Sequence, residues 1–260
     1  MTKPYGELVE PYPSTTLIDK IGMNIFHELL YRPLFNLLVF LYNIIPGHDI
    51  GWAIIATTLA IKLIFWPMTQ KAIKSQKALQ EIQPQLKALQ EKYKDNKEEQ
   101  AKQLMSFYKE NKVNPFSGCL PLIIQLPILI ALYQVFLKGF DPKNLSILYS
   151  FVANPGAINP IFLGFLNMAS PNKIMAVLAG LAQFWQAKMI TPKNKLPSAP
   201  KSSDEFMAQA ISKQTLYFLP VLTIIISWKL PAGLALYWLV TTLFTIIQQY
   251  AIIRSAPQKK

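Results

Sequence analysis

The 260-residue sequence has a single cysteine, two histidines and only 15% charged residues. Cys119 alone can form no internal disulfide, so no covalent framework holds this fold. His27 and His48 both lie away from the long apolar runs, so no Ser–His pair and no His-rich metal set can assemble inside them. Gly51 and Gly118 stand isolated, and no Walker-type phosphate loop is present. Soluble domains carry about 25% charged residues, spread over their surfaces. Here the acids are the scarcest group. Only 14 occur, with none between Asp49 and Glu81 and none between Asp141 and Asp204. A carrier relying on an intramembrane Asp or Glu relay therefore lacks its carboxylate. What is present is apolar: 52% hydrophobic residues with a positive mean hydropathy. These features describe an integral membrane protein that is not an enzyme and needs neither cofactor nor metal. Residues 1–26 read as a polar tail without the apolar core of a secretory signal.

A helix crossing a bilayer needs about 20 mostly apolar residues. Five segments qualify: 50–69, 117–138, 172–190, 213–229 and 231–253. The third and fourth have short apolar cores, which snorkelling of Lys173, Lys188, Lys213 and Lys229 or local bilayer thinning accommodates. The expected architecture is all-α, with five transmembrane helices. An additional stretch, 27–46, holds a run that is too short and ends at Pro46-Gly47. Asn36 and Asn43 share one helical face there, and Leu34, Leu37, Leu38 and Leu41 another. That pattern suggests an amphipathic helix in the interface, with a sixth crossing as the rival.

Lysines set the orientation. Of 26 basic residues, ten fall in 70–115, five in 188–213 and three from Arg254 onward. By the positive-inside rule these segments, including the loop 191–212 and the tail 255–260, are cytoplasmic, and the N-terminus is outside. Within 70–115, Ile82, Leu86, Leu89 and Tyr93 form one apolar stripe, and Ala101, Leu104, Met105 and Tyr108 another. Asp95-Asn96-Lys97-Glu98-Glu99 reads as a turn and N-cap, with Glu99 completing a capping box. The segment is expected to be a helical hairpin whose lysines are solvated or meet anionic lipid or ribosomal RNA.

One charge lies within a span. Lys62 is about 12 Å from the cytoplasmic end of its helix, with Thr58 one turn earlier on the same face. Burying it costs at least about 2.5 kcal/mol, so it either snorkels past Trp66 or faces a water-filled cavity. Gln125, Gln183, Gln186, Thr241, Thr242 and Gln248 are candidates to line such a cavity, or to serve as interhelical glue.

Several ordered motifs carry a family resemblance. They are Arg32-Pro33-Leu34-Phe35-Asn36-Leu37-Leu38, Trp66-Pro67-Met68-Thr69, Val113-Asn114-Pro115-Phe116-Ser117-Gly118-Cys119-Leu120-Pro121 with Ile124-Gln125-Leu126-Pro127, Leu230-Pro231-Ala232-Gly233-Leu234-Ala235-Leu236-Tyr237-Trp238, and Ile246-Ile247-Gln248-Gln249. Over residues 27–254 the chain resembles the YidC/Oxa/Alb membrane protein insertases, in a short bacterial-type form without a large extracytoplasmic domain. The resemblance implies a multi-pass protein of the bacterial plasma membrane that moves nascent membrane proteins into the bilayer without nucleotide hydrolysis. It places Lys62 at the family's intramembrane arginine position, with the charge kept and the planar fork lost. It adds Thr58 and Trp238 to a hydrophilic groove, and assigns Leu126, Leu129 and Ile226 to a substrate slide. Partners implied are nascent chains, the ribosome, the Sec translocon and anionic lipids. A small-solute channel or carrier, and a membrane chaperone that holds helices without inserting them, are the alternatives.

Overall fold

A computed structural model describes residues 24–114, 120–138, 140–191 and 214–255. The expected N-terminal tail up to residue 23, the loop 192–213, the tail from 256, and Cys119 lie outside these residues. The described chain is mostly helical, with one two-stranded antiparallel pair.

A short π-helical turn, His27–Tyr31, leads into α1 (Arg32–Ile44). Helix α2 (Ile50–Ile64) starts at Asp49, whose carboxylate accepts from the Gly51 and Trp52 N–H groups at 2.8 and 3.4 Å. Pro67 stands in the first turn of α3 (Trp66–Lys92) and has no N–H to continue the α2 ladder. The chain bends by 69° at this break, so the 50–69 segment is two helices and not one straight span. Helix α4 (Lys97–Glu110) is capped by Asn96, which accepts from Glu99 N–H at 3.1 Å. The capping box is only half made, because the Glu99 carboxylate accepts from Gln103 at 2.9 Å. After α5 (Leu120–Lys138) come a 3₁₀ turn, Pro142–Ile147, and the strands β1 (Ile161–Phe162) and β2 (Leu166–Asn167). Helix α6 (Lys173–Ile190) is capped by Asn172. A π turn, Gln214–Phe218, then opens α7 (Leu219–Ser227), and α8 (Ala232–Ser255) follows.

Helix α8 is the central element, packing on α6 and α2 and also touching α3, α5 and α7. Helices α6 and α7 approach closely because Gly180 leaves room for the Ile224 side chain, which a Cβ there would overlap. The core gathers Phe35, Val39, Ile50, Ala53, Ile54, Leu132, Val135, Met168, Leu234 and Tyr237. Large apolar side chains are also exposed along α2, α5, α6, α7 and α8, among them Leu63, Ile64, Ile123, Trp185, Ile225 and Ile247. Exposed apolar surface on so many helices is a lipid-facing surface in a membrane protein. Among the described residues, Ala232–Ile252 is long and apolar enough to span a membrane alone. The bent α2–α3 pair counts as a second candidate, and Ile123–Lys138 and Leu216–Ser227 are shorter apolar helices.

On α1 the shared asparagine face turns towards the 147–153 chain. Asn36 is buried; it donates to the Arg32 and Ile147 carbonyls and accepts from Tyr149 N–H at 2.6 Å. Asn43 donates to Ala153 carbonyl at 2.6 Å. Both staple the 147–153 backbone to the helix, because that irregular chain has no ladder of its own to satisfy its buried polar groups. In α4, Ala101 and Met105 are exposed. The side facing α3 carries Gln100 instead, buried and donating to Gln90 carbonyl at 2.7 Å. The expected apolar stripe of α4 is rotated accordingly, towards Gln103, Leu104, Phe107 and Tyr108, all partly buried.

Candidate functional site: a polar seam between two helices

Lys62 is 9% exposed, in the last turn of α2. Its Nζ donates to Thr245 Oγ1 of α8 at 3.1 Å, and Thr245 donates onward to Thr241 carbonyl at 2.8 Å. No ion pair to Lys62 occurs among the described residues. Thr58 is fully buried one turn earlier, and its hydroxyl donates to Ile54 carbonyl at 2.6 Å. One turn beyond the bend, the Gln248 amide donates to Thr69 Oγ1 at 3.2 Å. Thr57 Oγ1 and Gln249 Oε1 are buried with no hydrogen-bond partner among the described residues. Native interiors pair nearly all such atoms, so these two, on helices that pack together, stand out; Gln80 Nε2 on α3 is a further one.

The seam stops along α2. Towards its N-terminus the buried residues are Ile50, Gly51, Ala53 and Ile54. There Gly51 lies against the Phe162 ring, with no room for a Cβ. Gln125 of α5 donates to the Tyr237 hydroxyl at 2.6 Å, tying α5 to α8.

Comparison with known proteins shows the family. Residues 40–259 match the family model described as 60Kd inner membrane protein. The membrane protein insertase YidC of Fusobacterium nucleatum subsp. nucleatum is 35% identical over 227 residues, covering 86% of this chain and 97% of its own length. The chain belongs to the YidC/Oxa/Alb family. The membrane protein insertase YidC of Francisella tularensis subsp. novicida is 37% identical over 204 residues, 78% of this chain, but that match spans 32% of the longer relative. A crystal structure of an active YidC insertase, with its first transmembrane domain resolved, superposes with a TM-score of 0.51 at 23% identity. It covers 94% of this chain and 48% of that one, and shows a shared fold. This YidC-family chain is a membrane protein.

The residues expected in its groove do not all meet. Lys62 and Thr58 lie on the seam. Gln183 of α6 is hydrogen-bonded to Thr223 of α7, a contact that locks those two helices together. Trp238 is half-buried, and it is its neighbour Tyr237 that is buried and bonded to Gln125. Of the slide residues, Leu126 and Ile226 are exposed on α5 and α7, whereas Leu129 packs partly against the core. Sequence reasoning missed Thr245, the direct partner of Lys62. The signal was there: Thr241, Thr245 and Gln248 recur at four and three residues, which places them on one helical face.

Proposed function

We propose that the chain is a membrane protein insertase that uses the α2–α8 seam as a cytoplasm-open, positively charged groove. The observation that carries this reading is the buried Lys62 ammonium held by a neutral hydroxyl. A carboxylate partner would cancel the charge. Thr245 instead orients it and leaves it available to acidic residues of an arriving polar tail. The unpaired Thr57 and Gln249 atoms offer such a tail hydrogen bonds that hydrocarbon cannot. Leu126 and Ile226, with Leu129 behind, give the following apolar segment a greasy path into lipid. Burying that segment yields about 25 cal/mol per Å² of apolar area, so no nucleotide is required.

In this reading five crossings surround the groove, α3 and α4 form a cytoplasmic hairpin, the N-terminus is outside and the C-terminus inside. The hairpin and tail lysines meet the ribosome or anionic lipid, and the Sec translocon is a further partner. The apolar packing around Ile50, Ala53 and Ile54 counts against a solute channel, which needs a polar path along the whole of α2.

A reconstituted insertion assay with acidic-tailed and neutral-tailed clients tests the groove. Lys62→Arg should preserve insertion of the acidic client, Lys62→Ala should reduce it, and Lys62→Glu should reduce it about tenfold or more, with the neutral client much less affected. Equal rates for Lys62→Glu and the parent on both clients, with folding verified, would reject the electrostatic groove. Client binding retained by all variants with no insertion by the parent would favour the non-inserting chaperone.

A further inference from the structure

Residues 144–172, between Lys143 and Lys173, contain no Asp, Glu, Lys or Arg. A water-exposed segment of this length would carry about seven charges at ordinary soluble composition. The segment nevertheless exposes large apolar side chains. Its β1–β2 tip is Leu163-Gly164-Phe165, where Leu163 is 51% exposed and Phe165 74%. Leu163 and Gly164 have φ of +51° and +80°, and Phe165 N–H closes the turn on Phe162 carbonyl at 3.2 Å. A turn with positive φ at both central residues normally takes Asn, Asp or Gly. A leucine here is strained, and its side chain is half in the open, so packing alone does not explain it. Strain of this kind at an exposed position points to a use.

The tip is also firmly held. Leu163 N–H donates to Asp49 Oδ2 at 2.9 Å, while Oδ1 of the same carboxylate caps the α2 turn carrying Trp52. The Trp52 ring is half-exposed and meets Phe162 edge-on at 5.9 Å. Gly233 N–H donates to Met168 carbonyl at 2.9 Å, and Ala232 N–H to Ser170 carbonyl at 2.9 Å, fixing the loop to the start of α8. Lys173 lies over the exposed Trp228 ring at 5.4 Å, where α6 begins and α7 has ended. Aromatic rings at helix ends, one beside a lysine, are the signature of a membrane–water interface.

We infer that the 144–172 loop is a lipid-seated anchor: Leu163 and Phe165, beside Trp52, insert into the headgroup–acyl boundary at the end of the bundle opposite Lys62. The occupant is the bilayer itself. Rigid presentation of uncharged apolar tips, continuous with the lipid-facing side of α2, suits a fluid apolar phase. A protein partner would be steered by charged groups, which residues 144–172 do not have. The tip lies about 20 Å from Lys62 along α2, too far to line the groove.

The test uses the full chain in nanodiscs, with both faces open to buffer. Leu163→Cys and Phe165→Cys, each with Cys119→Ser, are labelled with an environment-sensitive nitrobenzoxadiazole dye, and Asp95→Cys serves as the control. Phosphatidylcholine with a doxyl group at carbon 5 should quench the two tip labels at least threefold more than the control, and iodide at least threefold less. Iodide quenching equal to that at residue 95 would overturn the anchor. So would shielding that appears only at high protein-to-lipid ratio, which would indicate a second copy. As an independent measure, Leu163→Asn relieves the backbone strain and should hold or raise the thermal midpoint in detergent. A lowered midpoint there would show that Leu163 serves packing, and would overturn the proposal as well.

Discussion

The two ends of α2 are built from opposite materials. Its N-terminal half buries Ile50, Ala53 and Ile54, is capped by Asp49, and is covered by a loop whose backbone groups are held by Asn36, Asn43 and the Asp49 carboxylate. Its C-terminal half buries Thr57, Thr58 and Lys62 beside Ile61, with Thr57 Oγ1 unpaired and Lys62 bonded to Thr245 of α8. The first half is optimised for stability. The second keeps polar groups in an apolar setting, a cost that only a use for them justifies. Both halves belong to one 15-residue helix, so the apolar end holds the polar end in place.

The contrast can be broken most severely at the closed end. Gly51→Leu forces a side chain into the space of the Phe162 ring and should destabilise the fold by about 3 kcal/mol or abolish it, read as the loss of a cooperative thermal transition in detergent. Asn36→Ala should come next. It strands Tyr149 N–H, while the Ile147 carbonyl keeps its bond from Arg32 Nε at 3.1 Å, and should cost about 1–2 kcal/mol while leaving the seam chemistry intact. At the polar end the balance should reverse. Thr245→Val removes the acceptor for Lys62 and should slow insertion of an acidic-tailed client about threefold to tenfold, with a stability cost of about 1–2 kcal/mol for the unpaired ammonium, and Thr245→Ser should restore both. Thr57→Val should have the smallest effect on stability. It deletes an unpaired hydroxyl at constant shape, so the midpoint should hold or rise by about 1 kcal/mol equivalent. A large loss of stability in Thr57→Val would place that hydroxyl in a structural bond and erase the distinction between the two halves.

These outcomes also mark how far the sequence could be read. Charge sparsity and apolar runs were enough for a helical membrane protein, and Asn96 announced the start of α4 by its chemistry alone. The isolation of Lys62 was legible because no carboxylate shares its stretch of sequence. Asn36 and Asn43 were correctly assigned to one face, but spacing gives no direction for that face. Only the neighbouring loop, with backbone groups to satisfy, turns it inward. Gln183 could not be sorted between groove and glue until its partner Thr223 was located on another helix. The bend at Phe65 was foreshadowed by Pro67, yet a hydropathy run passes through a proline without registering the change of axis.

In a straight helix from 50 to 69, Lys62 would sit well inside a single rod. Because the hydrogen-bond ladder is interrupted at Pro67 and the axis turns by 69°, α2 ends at Ile64 and Lys62 occupies its final turn. Pro67 has no N–H to give the Leu63 carbonyl, so the residue next to Lys62 lacks the i+4 donor that an unbroken helix supplies. The proline that breaks the rod thus sets both where the chain leaves the α2 axis and how near that corner the cation stands.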